Sequence, residues 1–255
     1  MSELLDRPPI AGAPISIVLP AFNVEAVVTD VVRAWLSYLG TLSRDCEIIL
    51  VNDGSSDRTQ QLAEQLAAED SRLVVLAHPA PGGIGAALRT GLAAARHPLV
   101  GYAACSPAYE PADLSRLLEF MDQVDLASGM REWEDPKPPA SWRQWAARGL
   151  VHWIFGVRLK DPDCPFKLFR RSIFSRIPVQ SDGSFVHTEI LAKANFLGCL
   201  IAEAPIRYRP QAEPQGGHVE PRPERVEALQ VFRSPDFGPP ELPAPGSSTN
   251  SQAIP

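Results

Sequence analysis

The chain has 255 residues, of which 45% are hydrophobic and 21% are charged, as in a globular protein that buries one core. Its net charge of −6 and sequence pI of about 5.4 argue against a nucleic-acid-binding protein, because neutralising phosphates requires surplus Lys and Arg. The 4 cysteines show neither a CxxC pair nor zinc-ligand spacing, so we expect reduced thiols in a cytoplasmic protein. With no bilayer-length apolar run and no signal peptide, any membrane contact is expected to be peripheral.

Apolar periodicity predicts a single domain at 14–210, between a flexible N-terminus at 1–13 and a Pro-rich tail at 211–255. Strands are predicted at 15–19, 47–51, 73–77, 99–102, 125–129 and 200–208. Helices are predicted at 25–39, 57–69, 85–95, 111–122, 141–155 and 187–197. This alternation predicts an α/β fold, with a mostly parallel central sheet and helices on both faces. Ligands of such sheets bind beyond the carboxyl ends of the strands.

Two segments of the chain have alternative interpretations. The tail carries frequent Pro and Gly and few large apolar residues, which is typical of disorder; the alternative is a docking peptide for a partner. The helix at 141–155 places Trp142, Trp145 and Trp153 on one stripe with basic residues displaced from it. That stripe fits a peripheral membrane helix, and it fits equally well a helix that faces the core.

Two motifs lie at the carboxyl ends of the first two predicted strands. PAFNVE runs from Pro20 to Glu25, and VNDGSSD runs from Val51 to Asp57. An Asp-Gly pair alone is ordinary turn chemistry. Together the motifs resemble the family 2 glycosyltransferases, which have a Pro-aromatic-Asn-x-Glu pattern and then Asp-Asp-Gly-Ser-x-Asp, with Asn52 in place of the first acid. The resemblance implies the GT-A fold of nucleotide-diphospho-sugar transferases.

The same resemblance implies a nucleotide-sugar site. Pro20, Phe22 and Glu25 are expected to line the base and ribose, with Asp53 contacting them from the opposite strand. The Gly-rich stretch GGIGAALRTG resembles the start of the third helix in the family, where Gly85 is expected to let the backbone approach the nucleotide.

The segment after the fourth strand departs from the family pattern. Members that resemble dolichol-phosphate mannosyltransferase carry two acids there, one residue apart, and these hold a divalent cation against the sugar diphosphate. The matching residues are Ala104 and Ser106. Because Mg²⁺ and Mn²⁺ prefer carboxylate oxygens, we expect no metal cofactor at this position. Glu110 and Asp113 are the nearby acids that would replace the ligands, although the start of a helix favours acids in any case.

The second half of the domain is expected to face the phosphates and the acceptor. A Gly-x-Arg ending resembles a family segment that places Arg131 toward the phosphates. The stretch DPDCPFKLFRR resembles one in polyprenyl-phosphate glycosyltransferases, with Pro165 in place of the usual Gly. It contributes Asp161 to the catalytic set, and it contributes Lys167 and Arg170 to a phosphate or acceptor site. Basic side chains suit an anionic donor and a lipid-phosphate acceptor.

Four residues near this site carry alternatives. Without the resemblance, Arg170 and Arg171 are solvent-exposed charges. Glu189 matches the acid that opens the last helix of the family, where it serves as a general base for hydroxyl acceptors; a phosphate acceptor needs no base. His187 is interpreted as a cap or surface residue without a catalytic role.

These residues support two main hypotheses. The first is a glycosyltransferase that moves a sugar from a nucleotide-sugar donor to a polyprenyl phosphate or other acceptor without a bound metal, in the cytoplasm or at the inner face of the membrane. The second is a catalytically inactive relative that binds nucleotide sugars or a protein partner. Nucleotidyl transfer ranks last, because no Gly-rich basic signature precedes the first helix.

Overall fold

The computed structural model describes residues 9–133, 159–212, 230, 231 and 233–237. In this part of the chain the strands are β1 (Ile15–Ala21), β2 (Cys46–Asn52), β3 (Leu73–Ala77), β4 (Leu99–Ala103), β5 (Leu126–Trp133), β6 (Phe166–Arg170) and β7 (Ile201–Tyr208). The α-helices are α1 (Val28–Leu39), α2 (Thr59–Glu69), α3 (Ile84–Ala94), α4 (Leu114–Leu118) and α5 (Val186–Phe196). Short 3₁₀ turns cover Pro111–Asp113, Arg171–Ser175 and Pro210–Ala212.

The seven strands form one sheet in the order β3-β2-β1-β4-β6-β5-β7. Neighbouring strands are parallel except at β6, which is antiparallel to both β4 and β5. In β1, Val18 lies opposite Ile49 of β2 and Tyr102 of β4. The carboxyl ends of these three parallel strands therefore meet at one edge, which is where the sequence places its motifs.

Alternating strand residues build two hydrophobic layers. Leu19 and Leu50 pack in the layer that includes α1, α2 and α4, whereas Val18 and Val51 pack in the layer that includes α3 and α5. Both sides of β1 and β2 are thus buried, which explains their continuous apolar sequences. The predicted α/β architecture, with helices on both faces of a mostly parallel sheet, is confirmed.

Two elements differ from the sequence prediction. The helix predicted at 111–122 is a 3₁₀ turn followed by the short α4, because the next amides bond three residues back: Phe120 N to Leu117 O and Met121 N to Leu118 O. The strand β6 was not predicted, since Lys167 and Arg170 interrupt its apolar pattern. Both of these charged residues are buried.

Three predicted segments fall partly or wholly outside the described residues. The Trp-rich helix at 141–155 lies wholly outside them, and the N-terminus at 1–13 is described only from residue 9. In the predicted tail, residues 211, 212, 230, 231 and 233–237 are described, and the ring of Phe237 stacks on Phe196 of α5 with centroids 4.9 Å apart. None of the helices in the described ranges combines the length and apolarity needed to cross a bilayer.

Candidate functional site

The loops after β1 and β2 are hydrogen-bonded into one unit. Asn23, at a positive φ of 50°, accepts from Ser56 N at 2.9 Å, and its own amide donates to Ser55 Oγ at 2.9 Å. Glu25 N donates to Asp57 Oδ2 at 3.0 Å. The polar residues of the two motifs therefore hold each other in place, which a pair of independent turns would not do.

Three predicted base and ribose residues belong to this unit. Pro20 is buried within β1, while Phe22 and Glu25 follow the strand and are partly exposed. The Glu25 carboxylate accepts from Arg58 N at 2.9 Å and from Arg58 Nε at 3.3 Å. Their contact with a nucleotide stays a prediction.

The Asp53 carboxylate organises the Gly-rich turn before α3. It is fully buried; Oδ1 accepts from Gly82 N at 2.9 Å, and Oδ2 accepts from Gly83 N at 2.7 Å. The His78 ring lies between Asp53 Oδ1, 2.7 Å from Nδ1, and Thr90 Oγ1, 2.8 Å from Nε2. The two glycine amides satisfy hydrogen-bond acceptors of this buried carboxyl group. The predicted base contact of Asp53 remains a prediction. His78 directly follows a predicted strand but belongs to no sequence motif.

Gly85 lies where the loop at 178–182 approaches α3. Its amide donates to Asp182 O at 2.7 Å, and a Cβ at Gly85 would lie 2.0 Å from Ser181 O. Arg89 forms an ion pair with Asp182 and donates to Ser181 O at 3.1 Å. The absent side chain thus makes room for this loop, and a nucleotide contact of Gly85 stays a prediction.

The residues after β4 do not fit a divalent cation. Ala104 offers no side-chain ligand, and Ser106 Oγ accepts from Ala108 N at 3.1 Å. Asp113 is buried and pairs with Arg116 at 3.4 Å and Arg207 at 3.5 Å, while Glu110 pairs with Arg209 at 3.8 Å. Within the described ranges, no group of three or more His, Cys, Asp or Glu residues is placed to hold a metal. The correspondence of Ala104 and Ser106 to the metal-holding acids stays a prediction.

Arg131 and Asp161 form a bidentate ion pair. Arg131 Nε and Nη2 each donate to an Asp161 oxygen at 2.7 Å. Burial alone would lower the pKa of Arg131, but its hydrogen bonds to Asp161 outweigh burial and raise the pKa. Burial likewise acts to raise the pKa of Asp161, and Arg131 outweighs it, so that this pKa is lowered. Both groups are therefore charged at neutral pH, and the Arg131 side chain keeps 20% of its surface exposed.

Lys167 and Arg170 bind backbone carbonyls inside the protein. Lys167 Nζ donates to Pro162 O at 2.9 Å and to Cys164 O at 2.5 Å, and burial lowers its pKa. Arg170 Nη2 donates to Met121 O at 2.7 Å. The alternative of a solvent-exposed Arg170 is wrong, because the side chain is buried and donates hydrogen bonds to backbone carbonyls. Contacts of Lys167 and Arg170 with a phosphate or acceptor stay a prediction.

Glu189 and His187, both on α5, are buried. The Glu189 carboxylate accepts from Gln180 N and Ser181 N at 2.8 Å each, and it pairs with Lys193 at 2.7 Å. His187 Nδ1 lies 3.0 Å from the Tyr102 hydroxyl. The interpretation of His187 as a surface residue is wrong; the function of Glu189 as a base stays a prediction.

The loop at 160–165 contacts both the end of β4 and Glu203 of β7. Ala104 N donates to Pro165 O at 3.1 Å, and Glu203 accepts from Lys160 N at 2.8 Å and Asp161 N at 2.9 Å. The sequence analysis did not single out Glu203. The antiparallel strand β6 lies between β4 and β5, and so it joins the first half of the domain to the second.

The sheet order, the interlocked loops at its carboxyl edge and the Gly-rich turn before α3 define a GT-A type nucleotide-diphospho-sugar transferase fold. The glucosyl-3-phosphoglycerate synthase of Mycobacterium tuberculosis, solved with phosphoglyceric acid, shares this fold with a TM-score of 0.69 and 22% identity, over 91% of this chain and 83% of that chain. Residues 16–187 match "Glycosyl transferase family 2". The chain belongs to that family.

Curated relatives agree with this assignment. Glycosyltransferase AglD of Haloferax volcanii is 32% identical over 80% of this chain and 34% of its own. The undecaprenyl-phosphate 4-deoxy-4-formamido-L-arabinose transferase of Pseudomonas paraeruginosa is 30% identical over 68% of this chain and 55% of its own. The dodecaprenyl-phosphate galacturonate synthase of Rhizobium johnstonii is 27% identical over 68% and 53%. The chain thus spans between about a third and about half the length of these relatives.

Proposed function

We propose that the protein transfers a sugar from a nucleoside-diphosphate donor to a polyprenyl phosphate. Membership of family 2 supports the transfer, and the names of two relatives support a lipid-phosphate acceptor. The observation that carries the proposal is the convergence at one edge of the sheet of the interlocked loops, the Gly82–Gly83 turn and the Arg131–Asp161 pair. We place the reaction on the cytoplasmic side, with peripheral contact to the inner face of the membrane.

The reaction requires a cation at the leaving group. An acceptor phosphate oxygen forms a bond to the anomeric carbon of the sugar, and the bond from that carbon to the nucleoside diphosphate breaks, which adds negative charge to the diphosphate. Arg131 is a partly exposed cation whose orientation is fixed by its pairing with Asp161. A guanidinium stabilises such developing charge by directed hydrogen bonds. We propose that Arg131 provides this stabilisation without a metal at Ala104 and Ser106.

The acceptor class agrees with the surroundings of Glu189. A phosphate acceptor is already ionised at neutral pH, so its attack requires no general base. The Glu189 carboxylate is occupied by two backbone amides and by Lys193. We propose that Glu189 positions the loop at 178–182 rather than removing a proton from the acceptor.

A second candidate function is binding of a nucleotide sugar without transfer. The observation that favours it is the internal use of predicted site residues, since Lys167, Arg170 and Glu189 all bond to backbone groups of the protein itself. A relative of this kind would retain the donor site after losing the reaction.

Calorimetric titration tests the donor site directly. We expect one UDP- or GDP-sugar to bind with a micromolar dissociation constant, about −8 kcal/mol, equally in EDTA and in Mg²⁺. Arg131→Met should weaken binding, and Arg171→Met is the matched control, because Arg171 is exposed at the amino-terminal edge of the neighbouring β4. Binding that requires Mg²⁺ would contradict the metal-free site. Binding without any transfer would favour the second candidate.

A further inference from the structure

The loop at 178–182 is held by α5 on one side. Glu189 accepts from the amides of Gln180 and Ser181, and Lys193 Nζ donates to Pro178 O at 2.6 Å and to Gln180 Oε1 at 2.8 Å. Both α5 side chains are buried, whereas Pro178 and Gln180 are partly exposed. The loop therefore has one strongly determined position on α5.

On its other side the same loop holds the first turn of α3. Gly85 N lies in that first turn, where an amide has no partner within the helix, and Asp182 O at 2.7 Å supplies one. Arg89, one turn further on, bonds to Ser181 O and pairs with Asp182. The turn that precedes α3 is the one whose amides bind Asp53. A displacement of the loop would consequently shift the edge where the donor is proposed to bind.

The Gln180 side chain connects this loop to the C-terminal segment, defined as residues 230, 231 and 233–237. Gln180 Nε2 donates to Ser234 O at 3.0 Å, and Gln180 Oε1 accepts from Asp236 N at 2.8 Å. Val231 is buried, and Phe237 stacks on Phe196 with an interplanar angle of 28°. The segment thus has both polar and apolar contacts with the domain.

We propose that Gln180 is a positioning residue for the donor side of the cleft, and that the C-terminal segment holds Gln180 in place. One amide side chain bonds to Lys193 and to two backbone groups of the segment, while its own backbone amide is held by Glu189. The segment is therefore connected to the first turn of α3 by the hydrogen bonds of Gln180, the backbone of residues 180–182 and the bond from Gly85 N to Asp182 O. The effect on the donor rests on the proposed function; the effect on α3 does not.

Hydrogen exchange at the Gly85 amide, measured by NMR on the full chain, tests the coupling. Gln180→Met keeps the side-chain volume and removes its hydrogen bonds, and Phe237→Ala removes the stack on Phe196. We expect each variant to exchange about tenfold faster at Gly85. The exchange rate at Gly85 in the double variant should be no more than about twofold above that of either single variant, because both changes break the same connection. Gln123→Met, at an exposed site on the other side of the sheet, is the control and should leave Gly85 unchanged.

A conservative variant and donor kinetics separate positioning from general destabilisation. Gln180→Glu retains the acceptor for Lys193 and Asp236 N and should restore most of the protection at Gly85. The donor KM should rise severalfold in Gln180→Met at an unchanged kcat. Unchanged exchange in both single variants, or fully additive effects in the double variant, would overturn the proposal. Faster exchange at Gly85 in a protein that binds no donor would support the coupling and count against the proposed function.

Discussion

At the scale of single residues, charged side chains of the candidate site are used to fix loops. Asp53 binds the amides of a Gly-Gly turn, Glu203 binds the amides of residues 160 and 161, and Glu189 binds those of residues 180 and 181. Each of these three carboxylates thus accepts two backbone amides of the loop that it fixes. The site is therefore preorganised by its own acids.

Gly85→Ala tests the close approach of the loop at 178–182. The new methyl group would lie 2.0 Å from Ser181 O, so that the loop or the helix must move. Overpacking of this kind costs about 1–3 kcal/mol. Urea unfolding should show this loss of unfolding free energy. Hydrogen exchange at the amide of residue 85, measured separately by NMR, should become faster. The control is Gly40→Ala, where the backbone is αR and the nearest atoms lie at 3.3 Å from the added Cβ. An equal loss of unfolding free energy in Gly40→Ala would show that the contact with Ser181 is not the cause.

The Arg131–Asp161 pair predicts a pH dependence of stability. Because Arg131 holds the folded-state pKa of Asp161 below its usual value despite burial, the pair stabilises the fold above the unfolded pKa near 3.9. That stabilisation is lost as the pH falls through the folded pKa. Asp161→Asn should cost on the order of 3 kcal/mol at pH 7. The difference in unfolding free energy between wild type and Asp161→Asn should become smaller below about pH 4. A difference that stays constant from pH 7 to pH 3 would contradict this account.

At the scale of elements, β6 and the loop before it show what the sequence could not predict. The strands β1 to β5 follow from apolar runs, since both faces of the sheet are covered. In β6, by contrast, two charged residues are buried because carbonyls of the neighbouring loops accept from them. A hydropathy pattern contains no information about such partners. The same applies to Glu189 and His187, whose burial depends on the loop at 178–182 and on Tyr102.

Lys167→Met tests the bracing of the loop at 160–165. The variant keeps most of the side-chain volume and leaves the carbonyls of Pro162 and Cys164 without their donor. Each unsatisfied buried carbonyl costs about 1–3 kcal/mol, partly offset because a buried ammonium is removed as well. We expect a lower midpoint in guanidinium unfolding and greater proteolysis within 160–165. An unchanged midpoint would show that the loop does not depend on Lys167.

At the scale of the whole molecule, the two edges of the sheet carry different sets of buried polar residues. The motifs lie at the carboxyl edge. At the opposite edge the buried Glu47 accepts from Ser16 Oγ at 2.6 Å and from Arg96 Nε at 2.9 Å. Burial acts to raise the pKa of Glu47, but these hydrogen bonds outweigh burial and lower it. Glu47 thus joins β1, β2 and the segment before β4 far from the proposed donor site.

Glu47→Gln should therefore lower stability and leave the donor site intact. The loss of charge-assisted hydrogen bonds is expected to cost about 1–3 kcal/mol in unfolding free energy. The donor dissociation constant, measured by calorimetry at a temperature where the variant is folded, should stay within twofold of wild type. Weaker binding by tenfold or more would mean that the two edges are coupled.

The fold and the site were predictable to different degrees. The order of strands and helices up to β4 follows from periodicity, and the positions of the motifs follow from the ends of the strands. The structural roles of Asp53, Gly85 and Glu189 could not be predicted, because they depend on contacts between residues distant in sequence, such as Gly85 with Asp182. The docking of the C-terminal segment depends on Gln180 and Phe196, which no local composition of the tail indicates.

The most direct test of the central proposal is transfer of a labelled sugar from its nucleoside-diphosphate donor to undecaprenyl phosphate by the full chain, with EDTA or with Mn²⁺. The account predicts product in both conditions at similar rates, and a loss of about 10²–10³ in rate for Arg131→Met, the cost of removing one group that stabilises developing charge. Product that appears only with Mn²⁺, or a wild-type rate in Arg131→Met, would contradict it.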